Sequence, residues 1–120
     1  MIKVVLCLLL AYTTFGALMG FERTFFEAVK DPNNRWNFYN DAGYLGEMQF
    51  RPDGKIGIYD NPNERRWTFK STNGFLHFWG DKNKLTCKFV NTWIDGFGKW
   101  HATGRFLLSD NGWTHYIVQK

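Results

Sequence analysis

The sequence predicts an all-β protein: an antiparallel barrel or tight sandwich of about eight strands over residues 35–118, with a short helix at 21–31 ahead of it. Three observations predict this. After Asn34 the apolar residues recur with period two, as in Trp36 and Phe38, Met48 and Phe50, Ile56 and Ile58. Turn-forming residues break that pattern at intervals of about ten residues. Aromatic side chains carry the apolar content: six Trp, five Tyr and twelve Phe in 120 residues, enough to give a small domain its core.

The elements follow in order. Residues 1–20 read as a secretory signal peptide, with Lys3 ahead of the apolar run Val4 to Ala11 and cleavage expected after Gly16 or Gly20. That run is too short to span a bilayer, so no membrane span is expected once the signal is removed, and the mature chain is expected to be secreted and extracellular. Phe21 to Asp31 places Phe21, Phe25, Ala28 and Val29 at helical spacing, and Pro32 with Asn33-Asn34 ends the helix. Strands are then expected around Trp36–Phe38, Gly46–Arg51, Lys55–Tyr59, Trp67–Phe69, Phe75–Trp79, Leu85–Val90, Lys99–Leu108 and Trp113–Val118. Pro52-Asp53-Gly54, Asn73-Gly74 and Asp110-Asn111-Gly112 supply hairpin chemistry between them. No linker interrupts residues 35–120, which read as one β domain.

Charge and cysteine content exclude several classes. The net charge of +4 is scattered, with Arg65-Arg66 the only adjacent basic pair, so no nucleic-acid partner is expected. Cys87 is the only cysteine outside the signal segment, and its phase with Leu85 and Phe89 predicts a buried thiol. His77, His101 and His115 fall on three separate strands without metal-ligand spacing, and they read as partly exposed strand residues. Asp53, Asp60, Glu64, Asp81, Asp95 and Asp110 fall in turns, where the side chain bonds its own backbone. Neither metal nor cofactor is expected, and no catalytic set is recognised. The Asn61–Trp67 segment reads as a structural corner, with Glu64 an exposed partner of Arg65 or Arg66 and Trp67 entering the core. Trp36, Phe69, Cys87 and Trp100 are expected to be structural as well.

An ordered set of short motifs carries a resemblance. It runs Trp36-Asn37-Phe38, Asp53-Gly54-Lys55-Ile56, Asn61-Pro62-Asn63-Glu64-Arg65-Arg66-Trp67, Asn73-Gly74-Phe75-Leu76-His77-Phe78 and Thr86-Cys87-Lys88-Phe89. Over residues 36–89 the chain resembles a small antiparallel β module attached to bacterial glycosyltransferases and other glycan-handling proteins. The resemblance implies glycan association and carries no catalytic residue. A weaker likeness joins the chain to lipocalin and avidin barrels, through a helix leading to a first strand with Trp36 and a late Trp100; their Gly-x-Trp signature is absent. The expected function is therefore non-catalytic binding of an extracellular glycan through exposed aromatics, with Trp79, Trp93, Tyr44 and His77 as the candidate residues. Carriage of a small apolar molecule inside the barrel is the second expectation. A structural or interaction protein without a small-molecule ligand is the third.

Overall fold

A computed structural model describes residues 24–70, 75–108 and 112–120. The expected signal segment, Phe21 and the Asn73-Gly74 and Asp110-Asn111 turns lie outside them. Among the described residues one α-helix, α1 (Phe25–Lys30), precedes eight antiparallel strands: β1 (Trp36–Asn40), β2 (Gly43–Phe50), β3 (Ile56–Gly57), β4 (Arg66–Lys70), β5 (Phe75–Trp79), β6 (Leu85–Ile94), β7 (Trp100–Phe106) and β8 (Thr114–Gln119). In the strand order β3-β2-β1-β8-β7-β6-β5-β4 every strand but β3 neighbours the next in sequence, β8 pairs with β1, and β3 and β4 are the two outer strands. The sheet nearly closes between its outer strands. Lys55 bridges Arg66, the Ile56 N–H donates to the Arg65 carbonyl at 2.9 Å, and the Trp67 N–H donates to the Gly54 carbonyl at 2.9 Å. The expected eight-stranded all-β architecture with one short helix is thus what the chain forms.

Helix α1 is short because its signals are close together. Thr24 and Glu27 form a reciprocal capping box, which satisfies two of the free N–H groups at the helix start. Pro32 follows the C-cap residue Asp31. The helix turns Phe25, Ala28 and Val29 inward and plugs one end of the barrel. The Phe25 ring meets Trp36, Trp100 and Phe69 at centroid distances of 5.9, 5.8 and 5.9 Å.

Inside, alternation decides the core. Trp36, Phe38, Met48, Phe50, Leu76, Phe78, Cys87, Phe89, Ala102 and Ile117 are fully buried. Phe78 is central, with Phe38, Phe50 and Phe89 at 5.8, 5.8 and 4.9 Å. These rings pack directly on one another across the middle of the barrel. Cys87 is buried as its phase requires, and burial pushes its thiol well above the ordinary range. Trp67, Phe69 and Trp100 pack against this core while only partly buried. Trp67 also donates its indole N–H to the Arg51 carbonyl at 3.0 Å.

Four expectations are corrected. Strand β3 is two residues long, because Ile58 takes a φ of 71° and leaves the sheet exposed. The Tyr59 N–H returns to the Gly57 carbonyl at 2.7 Å, a three-residue turn rarely tolerated by a β-branched residue. Glu64 is buried, at 3% exposure, and neither neighbouring arginine holds it. Arg65 instead pairs with Asp60 and with Asp81 at 3.1 Å, and Arg66 bonds Asn83 and lies over Trp79. Finally, His77 and His115 are buried and not partly exposed.

Candidate functional site

Two strand irregularities build the candidate site. In β2, Phe38 pairs with Gly46 and Tyr39 with Tyr44, so Leu45 is an extra residue. In β6, Phe89 pairs with Gly104 and Asn91 with Thr103, so Val90 is extra. One inserted residue reverses the inward and outward alternation beyond it. Met48 and Phe50 face the core, and unbroken alternation would bring Tyr44 in with them. Cys87 and Phe89 face the core, and unbroken alternation would bring Trp93 in as well. The two bulges send both rings outward.

Outside, those rings join others. Trp93 of β6 is opposite His101 of β7, Tyr39 of β1 is opposite Tyr116 of β8, and Tyr39 is also opposite Tyr44 of β2. The Trp93 and His101 rings stack at 5.0 Å and 14°. Tyr116 lies 5.8 Å from His101 and 6.3 Å from Trp93. Tyr39 lies 5.3 Å from Tyr116, and Tyr44 lies 5.4 Å from Tyr39. The rings therefore form a continuous diagonal strip across five neighbouring strands, roughly 19 Å across at the usual strand spacing. Its two ends are the most open: Trp93 is 44% and Tyr44 58% exposed. Phe97, at the tip of the β6–β7 turn, is almost fully exposed beside the Trp93 end.

Hydrogen bonds fix the strip. His101 Nε2 lies 2.7 Å from Asp95 Oδ2, and Nδ1 lies 2.6 Å from the Tyr116 hydroxyl. The His101 bond, followed by backbone N–H groups of Lys99 and Phe97, holds the Asp95 carboxyl down to about 2. Asp95 is therefore a carboxylate near neutral pH, able only to accept, so His101 Nε2 carries a proton. Both imidazole nitrogens are engaged, and the ring acts as a fixed spacer between Trp93 and Tyr116. Burial first, then Tyr39 and Asp95, raises Tyr116 above its ordinary value and keeps it a neutral phenol. Tyr44 reaches Asn37 Oδ1 at 3.5 Å at the other end.

The four residues singled out by sequence divide into two places. Trp93 and Tyr44 sit at the two ends of the strip. Trp79 and His77 sit on β5, and Trp79 pairs with Leu85, eight residues and about 26 Å along β6 from Trp93. The Trp79 indole donates to Thr68 Oγ1 at 2.8 Å and its ring is covered by the Arg66 guanidinium. His77, 5% exposed, lies between Thr68 and Lys88 in register, and burial followed by Lys88 and Lys70 lowers it from its ordinary value. His77 is buried, and Trp79 is partly exposed with the Arg66 guanidinium over its ring. Sequence reasoning missed Tyr39, His101, Tyr116 and Asp95. Tyr39 and Tyr116 do carry a sequence signal, since each alternates with core residues: Tyr39 with Phe38, Tyr116 with Ile117.

Comparison with protein-family models, with curated proteins and with solved structures gives no match. Among the described residues, no group of three or more His, Cys, Asp or Glu could hold a metal ion, and no helix is long and apolar enough to cross a membrane.

Proposed function

We propose that this protein is a non-catalytic extracellular binding domain that holds a glycan chain along the outer aromatic strip. The observation that carries the reading is the strip itself: Trp93, His101, Tyr116, Tyr39 and Tyr44 aligned across five strands, with the two end rings half exposed. Sugar rings present C–H faces that stack on aromatic rings, and their hydroxyls bond to flanking polar groups. Asn37, Asp95 and Thr103 provide such groups beside the strip. Pre-ordering by the Asp95–His101–Tyr116 bonds lowers the entropy lost on binding.

A non-catalytic role is supported by the same bonds. With Nε2–H donating to Asp95, the Nδ1 lone pair of His101 accepts from the Tyr116 hydroxyl and is engaged within the strip. The packed barrel centre disfavours the apolar-carrier alternative.

The test is a screen of the full chain against immobilised neutral oligosaccharides, followed by titration with the strongest hit while Trp emission is recorded. Saturable binding with an emission change that disappears in Trp93→Ala is expected. A folded protein that binds none of the panel would overturn the reading.

A further inference from the structure

The barrel end opposite α1 holds a second feature. Asn40, Leu45, Tyr59, Asn61, Asn63, Glu64, Phe106, Trp113 and His115 line a cavity of about 230 Å³. At about 30 Å³ per water, that space would hold seven or eight waters, room for one small ring. The cavity is built by features already described. The Leu45 bulge turns that side chain to the rim as Tyr44 goes outside. Ile58, in its positive-φ turn, delivers Tyr59 inward, where the ring meets Phe38 edge to face at 5.3 Å. Gly46 makes room for it: a Cβ there would stand 2.9 Å from the Tyr59 ring.

Two lining groups point to an occupant. His115 is 3% exposed, wedged at 4.9 Å from both Phe38 and Phe106, and its Nδ1 has no hydrogen-bond partner among the described residues. A buried, unanswered ring nitrogen is costly to the fold, and a ligand group that bonds it removes the cost. Glu64 is equally buried, and desolvation raises its carboxyl to about 7. Burial lowers His115 to about 4, so the imidazole is neutral near pH 7. Among the described residues no lysine or arginine lines the cavity, which leaves an anion without compensation for its lost hydration. The lining combines amides, a phenol, a carboxyl and an imidazole with the apolar Phe106, Trp113 and Leu45, a mixture that matches a ring with hydroxyls at its edge and C–H groups on its face.

We infer that this barrel mouth is a binding site for an uncharged, polyhydroxylated ring the size of a monosaccharide, held by hydrogen bonds to His115 Nδ1 and Glu64 and by packing on Trp113 and Phe106. The site is separate from the outer strip and stands or falls independently of it. At the binding efficiency of small ligands its dissociation constant is on the order of 1 mM.

The experiment is an NMR titration of the full-length protein with D-glucose, with N-acetylglucosamine and, in a parallel arm, with ethylammonium. Signals of the His115 imidazole, the Trp113 indole and the Trp93 indole are followed together. Saturable shifts at His115 and Trp113 with either sugar, unmatched by ethylammonium, are expected. His115→Phe, which keeps the aromatic packing, and Glu64→Gln, which keeps the shape, should each weaken binding about tenfold or more while the fold is retained. Shifts confined to Trp93 would place the sugar on the strip and overturn the mouth site. So would a response to ethylammonium alone, or sugar binding unchanged in both variants.

Discussion

The barrel carries two sets of aromatic rings that differ in what surrounds them. The inner set, Trp36, Phe38, Phe50, Phe78 and Phe89, has no exposed surface and touches mainly other rings and apolar chains. Even its one polar atom, Trp36 Nε1, lacks a hydrogen-bond partner among the described residues. In the outer set, Trp93 rests on His101, Tyr116 bonds His101, and Tyr44 approaches Asn37. The inner rings earn stability from lost water contact, the outer ones are held in place by polar bonds while keeping surface open to solvent. Residue type alone does not separate the sets; position relative to two bulges does.

The largest expected effect falls on the inner set. Trp36→Ala should cost roughly 3–5 kcal/mol by opening a cavity under α1. Trp36→Phe should cost much less, because the indole N–H lost there makes no bond. Chemical denaturation of both variants checks this. Equal losses in the two would show that the Trp36 nitrogen is engaged after all.

Next in size is a pH effect from the two buried titrating groups at the mouth. Glu64 has its carboxyl raised from 4.5 to about 7, so the stability tied to its protonated form is present below pH 4.5 and lost as pH rises through 7. His115 is lowered from 6.5 to about 4, so the stability tied to its neutral form is present above pH 6.5 and lost as pH falls through 4. Between pH 4.5 and 6.5 the two slopes oppose and nearly cancel in the native protein. Glu64→Gln should expose the His115 slope, stability rising with pH by roughly 2 kcal/mol over that window. His115→Phe should expose the reverse slope. Denaturation series at several pH values read both, and flat profiles in both variants would show that neither group titrates as a buried one.

Smaller still is the capping box. Thr24→Ala removes the side-chain acceptor for the Glu27 N–H and should cost about 1 kcal/mol. Since α1 contacts the inner set and not the strip, its loss should lower the melting temperature by a few degrees without weakening binding on the outer face.

Much of this organisation is legible in the sequence, and the parts that are not share one cause. Trp36, Phe38, Met48, Phe50 and Cys87 are placed correctly by alternation, and Pro52-Asp53-Gly54 forms the expected turn, with the Gly54 N–H on the Arg51 carbonyl at 3.0 Å and a φ of 85°. Bulges at Leu45 and Val90 leave no compositional mark, because the extra residue is an ordinary apolar one. Which face Tyr44 and Trp93 occupy therefore could not be read from periodicity. In sequence Glu64 reads as a surface charge because Arg65 and Arg66 follow it; the Ile58 turn and the approach of Gly80 to Pro62 and Asn63 fold that segment inward instead. His101 and Asp95 are six residues apart across a turn, and only the β6–β7 pairing shows that they meet.

The most direct test of the account sets the two ring sets against each other in one binding measurement. Isothermal titration of the oligosaccharide selected by the screen is carried out on Trp93→Ala, Tyr44→Ala and Trp36→Phe, each with its melting temperature. The account predicts binding weakened about tenfold or more in the two outer variants, with melting temperatures near the native one, and native affinity in Trp36→Phe. Native affinity in both Trp93→Ala and Tyr44→Ala would contradict it.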